Sequence, residues 1–438
     1  MFNKSLKFAF VLLLLFTVST AAFTPQFADE NKTMRLRWRN PEIRIALSTS
    51  LLNRTYNFKT DTDVQGSIER SLKTWENVAN IKFQTIWTEK QSVSPSGNAG
   101  DGVSLITIGQ TAENYTLFQE DLNGLSAQTR TFFNRRGQIT EADIVLNPYQ
   151  SFSSDGSGGS FDLEATLTHE IGHLLGLEHS FVMGATMYLH QGKNGVYDLP
   201  SFSPRTLAED DITGVRAIYG AKDESQECCG AISGKLLLPN GKPVKDSQVW
   251  AEEAESGRVI SGVSTNSTGD YFFDGLMTGE YKIYAKRYSE ESSFTAENIG
   301  TIAVEKGKTI VNNKKLQSQK TPFKLQFAGF NNQISELAVP VNGGKSYIIY
   351  IGGKNLDTSE IEMSFNSPNI SISPNNIGKY DYGNGISVVS FEVRIAKNTP
   401  LGEYGIFVGT RADRTTCLAG SLTVEEFENN LNIRTFDK

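Results

Sequence analysis

The sequence predicts a multidomain protein, an α+β domain followed by two all-β sandwich modules. Two observations predict this. At 438 residues the chain exceeds one ordinary core. The apolar pattern also changes near Gly220, from mixed helix and strand periods to short alternating strands separated by Gly, Asn and Pro turns. With 38% hydrophobic residues there is apolar surface for several cores. The formal charge of -7, without a basic stripe, argues against nucleic acid as a partner.

Residues 1–22 read as a signal peptide. Lys4 and Lys7 open it, an apolar run covers residues 8–18, and Ser19-Thr20-Ala21-Ala22 form a small-residue exit. The run is short for a transmembrane segment, and no comparable stretch follows, so the mature protein is expected to be exported. Residues 23–33 form a short extension. The α+β domain occupies residues 34–220. Residues 43–47 alternate as a strand, and Val64, Ile68, Leu72, Trp75 and Val78 mark one helical face. Strands follow near residues 81–86, 103–108 and 143–146. The Ser/Gly-rich residues 151–160 read as a flexible surface loop. A final helix covers about residues 209–219 and ends at Gly220. That terminus predicts a domain that folds and works without the remainder.

Residues 228–319 and 321–424 each have the size and alternation of a small β-sandwich, and residues 425–438 form a polar tail. Three cysteines allow at most one intrachain bridge. Adjacent cysteines rarely join comfortably. The readings that remain are Cys417 joined to Cys228 or Cys229, or three free thiols.

The run from His169 to His179 reads HExxHxxGxxH and contains three of the chain's four histidines. His169 and His173, four apart, stand one turn apart on one helix face and can reach a common ion. Glu170 is placed to accept a proton from water at the metal. Gly176 can take the positive φ that ends a helix, bringing His179 round as a third ligand. Three neutral imidazoles leave one coordination position open, as in a catalytic zinc site.

This motif with a methionine downstream resembles the metzincin proteases, and Ser180 after the third histidine is similar to the matrixin group within them. Residues 184–188, Gly-Ala-Thr-Met-Tyr, resemble the matrixin Met-turn. Residues 207–220 resemble the helix that closes a matrixin domain, and residues 142–147 fit a matrixin strand. The resemblance implies an α+β metzincin catalytic domain and a secreted zinc endopeptidase with one catalytic ion. It also implies Met187 as a floor beneath the zinc, with Asp210 and Asp211 bonded to the Met-turn backbone. Ala165 would face the S1′ pocket and leave room for a large apolar residue. Leu125 and Ala127 would lie on the strand that holds an extended substrate. Calcium is compatible with the resemblance through Asp101, Asp121 or Asp143, although no compact ligand run marks a site.

The chain also departs from the pattern. Only His190 remains for a second, structural zinc, so that site cannot exist in its usual form, and His190 reads as a surface residue. Leu189-His190 stands where a proline is expected after the Met-turn. No cysteine precedes Cys228, so the cysteine latency motif is absent, and Asp29 in the short extension is the carboxylate available to replace it. Residues 232–236, 239–244, 268–273, 275–276 and 279–281 resemble a carboxypeptidase-regulatory-like module, and residues 352–356 with 400–406 look Ig-like, which implies a surface or matrix ligand or a spacer. The rival class is a secreted adhesin or binding protein with an inactive metal domain. Intact Glu170 and three intact ligands weigh against it.

Overall fold

Among the described residues, a six-stranded sheet and four α-helices form the main frame of the N-terminal domain. The strands are β1 (Arg37–Trp38), β2 (Glu42–Ser48), β3 (Lys82–Thr88), β4 (Leu105–Thr107), β5 (Ala127–Phe133) and β6 (Gln138–Leu146). The helices are α1 (Val64–Glu76), α2 (Ala112–Thr116), α3 (Leu163–Leu174) and α4 (Glu209–Tyr219). The computed structural model describes residues 25–29, 34–53, 57–94, 100–121, 124–199, 204–223, 228–356, 361–410 and 415–426. The expected signal peptide, residues 1–22, and all but residues 425 and 426 of the expected polar tail lie outside these. Among the described residues no helix is long and apolar enough to cross a membrane.

The sheet order is β1-β6-β4-β2-β3, all parallel, and β5 pairs antiparallel with β6 alone. One side of β5 is therefore an open edge. Helices α1 and α3 pack on the sheet. The α1 face read from the sequence buries Ile68, Leu72 and Trp75 against Ile43, Ile45, Leu167 and Ile171. Trp75 Nε1 also donates to Thr168 O at 2.9 Å, which satisfies the buried indole and fixes α1 on α3. Asp162 caps α3 by accepting the Ala165 N–H at 2.9 Å, and Arg205 pairs with the same carboxylate at 2.6 Å.

Residues 151–160 depart from the expected flexible loop. Ser153 and Ser160 are fully buried and hydrogen-bonded to each other at 2.9 Å, and the Asn194 amide donates to Ser153 Oγ. Serine in a glycine-rich stretch served here as internal hydrogen-bonding material, which composition cannot distinguish from solvated polarity.

The second module packs a sheet in the order Val259–Ser264, Gln248–Glu253, Gly279–Lys286, Glu297–Val304 on one in the order Asp270–Met277, Cys228–Leu237, Thr309–Val311. The third has a five-stranded and a four-stranded sheet, with Lys324–Phe330 in the first and Gly402–Thr410 in the second. Each has its own buried core. Cys228 and Cys229 are bonded to each other, and Cys417 is buried and free. The pairing is therefore neither of the two arrangements expected from the sequence.

The modules do not hang from the N-terminal domain as separate units. Val182, Ala185 and Ala208 share a buried cluster with Trp250, Val259, Phe407 and Cys417, and Met183, Tyr197 and Leu199 belong to the core of the third module. Tyr197 O–H donates to Leu337 O at 2.9 Å, and Gly262 N–H donates to Asp210 at 2.7 Å.

Burial at these contacts and elsewhere raises several carboxyl groups. Asp143 and Glu252 reach about 7 and Asp210, also facing Asp211, about 8. Such groups hold a proton in the folded chain that the unfolded chain releases near its ordinary value of about 4. Their contribution is full below that value and is lost as pH rises through the folded pKa. The buried His169 and His179, lowered by burial, act in the opposite sense, but only below their ordinary value of about 6.5. The buried Lys286 is lowered and opposes the three carboxyls with one group. We therefore expect the denaturant midpoint to fall between pH 6.5 and 8, and a midpoint that rises across that interval would contradict it.

Candidate active site

The site is built on the last two turns of α3 and the reversal that follows. All twelve residues of α3 are buried, so its histidines point into protein and cleft rather than into open solvent. Gly176 has φ 93°, and a Cβ there would meet Leu36 O at 2.6 Å, so only glycine permits the turn. The reversal is held by Gly176 N–H to His173 O at 2.9 Å and Leu177 N–H to Gly172 O at 3.0 Å. It returns His179 to the helix, where its Nε2 lies 3.2 Å from His173 Nε2. The ligand atoms of His169, His173 and His179 all lie within 4.8 Å of one another.

The tautomers follow from the partners. His169 Nδ1 is 2.7 Å from Thr186 O and His173 Nδ1 is 2.8 Å from Leu177 O. A carbonyl oxygen only accepts, so each Nδ1 carries the proton and each Nε2 lone pair is free. Burial lowers His169 to about 3 and lowers His179 as well, which keeps both neutral. Neutral imidazoles oriented through Nδ1 by backbone carbonyls are the donor set a zinc ion requires. Among the described residues this is the one group of three with metal-ligand geometry. The carboxylates considered for calcium are engaged separately: Asp101 pairs with Lys90, Asp121 accepts Gly124 N–H at 2.7 Å, and Asp143 accepts Leu105 N–H at 3.0 Å.

Glu170 is buried beside the ligands. Desolvation raises its pKa, while His173 and the Thr129 hydroxyl act to lower it. Thr129 Oγ1 donates to Glu170 Oε2 at 2.5 Å. The sequence reading missed Thr129. It stands two residues beyond Ala127 on the same face of β5, a relation the period of a strand would have exposed. A cleft of about 260 Å³ joins these groups, lined by Leu125, Ala127, Thr129, Glu170 and the three histidines, with Gln26 and Gln191 at its margins. The strand bordering it starts at Ala127, so of the two residues expected on it only Ala127 belongs to it. Leu125 precedes it, and its carbonyl is taken by the Asn147 amide at 2.7 Å.

Met187 is fully buried beneath α3. Asp211 holds its turn by accepting the Thr186 and Met187 N–H groups at 2.8 and 3.0 Å. Asp210 differs from the expectation: it accepts Ser180 Oγ–H at 2.5 Å and Gly262 N–H, not the Met-turn backbone. His190 is half-exposed but pairs with Glu336 of the third module at 3.1 Å, so it is an inter-module contact rather than a plain surface residue. Asp29 accepts the Met34 N–H at 2.7 Å and is not among the cleft-lining residues, where the extension contributes Gln26 instead. Ala165 lines a second, smaller cavity on the other side of Thr186.

Gly172 lets Met187 approach. A Cβ at Gly172 would lie 2.2 Å from Met187 Sδ and 3.0 Å from Trp75. Alanine at an ordinary helical site gains about 1 kcal/mol in propensity. Here overpacking costs about 1–3 kcal/mol, so Gly172→Ala is expected to lower the urea midpoint. An unchanged midpoint would remove the packing argument.

A methionine turn held under a histidine-bearing helix places this domain in the metzincin class. The matrixin family model matches residues 37–220, and this part of the chain is a matrixin domain. Metalloendoproteinase 1 of Glycine max is 41% identical over 86 residues, 19% of this chain and 22% of that protein. Metalloendoproteinase 4-MMP of Arabidopsis thaliana is 28% identical over 197 residues, 42% of this chain and 48% of that protein. The chain thus spans less than half the length of these relatives. Among solved structures, the major pilin subunit BcpA of Bacillus cereus aligns at 11% identity over 43% of this chain and 66% of that one. Its TM-score of 0.18 carries no argument.

Proposed function

We propose that the protein is an exported zinc-dependent endopeptidase acting on protein or peptide substrates. The observation that carries the reading is the convergence of three imidazole lone pairs beside a buried glutamate, under an open strand edge. Zinc held there would polarise the scissile carbonyl and bring the pKa of water in the cleft towards neutrality. His169, His173 and His179 would hold the ion, the first two with their Nδ1 protons anchored on backbone carbonyls. Glu170 takes the proton of the attacking water and delivers it to the departing amine. Thr129 orients the Glu170 carboxylate through its hydroxyl. The edge from Ala127 onward, entered through Leu125, holds the substrate extended by adding it as a strand. Met187 supports the ligands from below, and Ala165 opens the wall of the pocket for the residue after the cleaved bond. Export rests on residues 1–22, and the packing of both β modules against the Met-turn region supports a role in holding the site.

The test is zinc content together with gelatin or casein cleavage by the full-length protein. One zinc per chain and cleavage abolished by a chelator and restored by zinc are expected. A zinc-loaded protein that cleaves neither would leave the adhesin reading in place.

A further inference from the structure

The cavity behind Ala165 is not made by the N-terminal domain alone. It has a volume of about 60 Å³, and its lining includes Leu337, Pro340 and Glu403 of the third module and Glu425 just after it. Ala165 stands one helical turn before His169, and Thr186, which accepts from His169 Nδ1, lines the same cavity. Gln191 lines both this cavity and the metal cleft, and its Oε1 accepts Ser126 Oγ–H at 2.6 Å. The cavity thus begins where the side chain following the cleaved bond would enter.

Part of its lining is acidic and unsatisfied. Glu403 is 5% exposed, and its Oε2 is buried without a hydrogen-bond partner. Glu425 lines the same cavity. Among the described lining residues there is no lysine or arginine, and His190 is committed to Glu336. Burial, with Asp211 nearby, raises the Glu403 carboxyl well above its ordinary range, and a cation reaching the unpartnered oxygen would favour the charged form. A cavity of this size holds roughly four to six water-sized groups. An unbranched lysine side chain, with about five heavy atoms ending in a compact ammonium, matches it better than the wider planar head of arginine.

We propose that this cavity is a specificity pocket for lysine at the position after the cleaved bond, with Glu403 and Glu425 of the third module receiving the ammonium. The proposal rests on the peptidase reading above. It replaces the large apolar residue expected from Ala165 alone, because the acidic lining comes from residues more than two hundred positions away. Lysine pairs the buried oxygen, whereas leucine fills the same space and leaves it unpaired, the situation in which a polar site discriminates most strongly.

The experiment is cleavage of a paired set of fluorogenic peptides, identical except for Lys or Leu after the scissile bond, by the full-length zinc-loaded protein. Lysine is expected to be favoured at least about tenfold in kcat/KM, and the Lys-to-Leu ratio is expected to fall about tenfold in Glu403→Gln. Glu425→Gln, more exposed and safer for folding, is expected to reduce the ratio in the same direction, and thermal melts identify a variant that does not fold. Leucine cleaved as well as lysine, or a ratio unchanged in both folded variants, overturns the lysine pocket and leaves the peptidase reading standing. No cleavage of either peptide, nor of casein, sinks the peptidase reading and the pocket with it.

Discussion

Replacing Glu170 by alanine is expected to leave zinc bound and to slow peptide hydrolysis by about 10²–10⁴-fold, the range for loss of one general acid–base group. The separation of the two effects follows from the site. Glu170 makes no contact that orients a ligand; its carboxylate is held by Thr129, and the histidine Nδ1 atoms are held by Thr186 and Leu177 carbonyls. Removing the carboxylate therefore leaves three aimed imidazoles. Removing His173 takes away the ligand whose Nε2 stands 3.2 Å from that of His179, so His173→Ala is expected to lose metal and activity together. Zinc content and casein cleavage on the two variants, purified from a protease-deficient host, decide the matter. Full hydrolysis by Glu170→Ala would remove the glutamate from the mechanism.

The metal site was legible because its determinants are local. The i, i+4 pair, the intervening glutamate and the glycine turn lie within eleven residues, and helix geometry alone brings them together. The apolar face of α1 was legible for the same reason, and α4 was read to its bounds, Glu209–Tyr219. The edge strand was displaced by a few residues because its pattern, Ala127–Phe133, alternates weakly and is only half-buried. The strand period puts Thr129 on the face of Ala127, but its contact with Glu170 needed the register of β5 over α3, which no local pattern carries. The bond between Cys228 and Cys229 was missed through a general expectation about neighbouring cysteines.

Long-range contacts were the larger gap. Glu403 looks in the sequence like an ordinary polar position in a strand, since alternation cannot tell a solvent face from a face covered by another domain. Met183 and Tyr197 likewise lie in the N-terminal segment of the sequence, yet they are core residues of the third module. Asp210 was expected to serve the Met-turn beside Asp211, yet one carboxylate suffices there and the other joins Ser180 to the second module.

Those contacts change what truncation should do. Ending the chain near Ala221, at the apparent domain end, is expected to give an insoluble or non-cooperatively melting protein. Val182, Met183, Ala185, Tyr197, Leu199 and Ala208 would lose their cover, and all are buried. At about 1.5–3 kcal/mol for each large apolar side chain, the loss rivals the whole stability of a typical domain, about 5–15 kcal/mol. The hydrogen bonds of Tyr197 to Leu337 O and of Gly262 N–H to Asp210 would go with it, leaving Asp210 with Ser180 on one carboxylate oxygen and no module donor on the other. The segment most affected, residues 181–199, includes the Met-turn and the wall beside the metal cleft, so activity is expected to fall with stability. Calorimetry and peptide cleavage on the shortened and full-length proteins provide the measurement. A soluble shortened domain with a sharp melt and unchanged kcat/KM would mean that the modules touch the catalytic domain without supporting it.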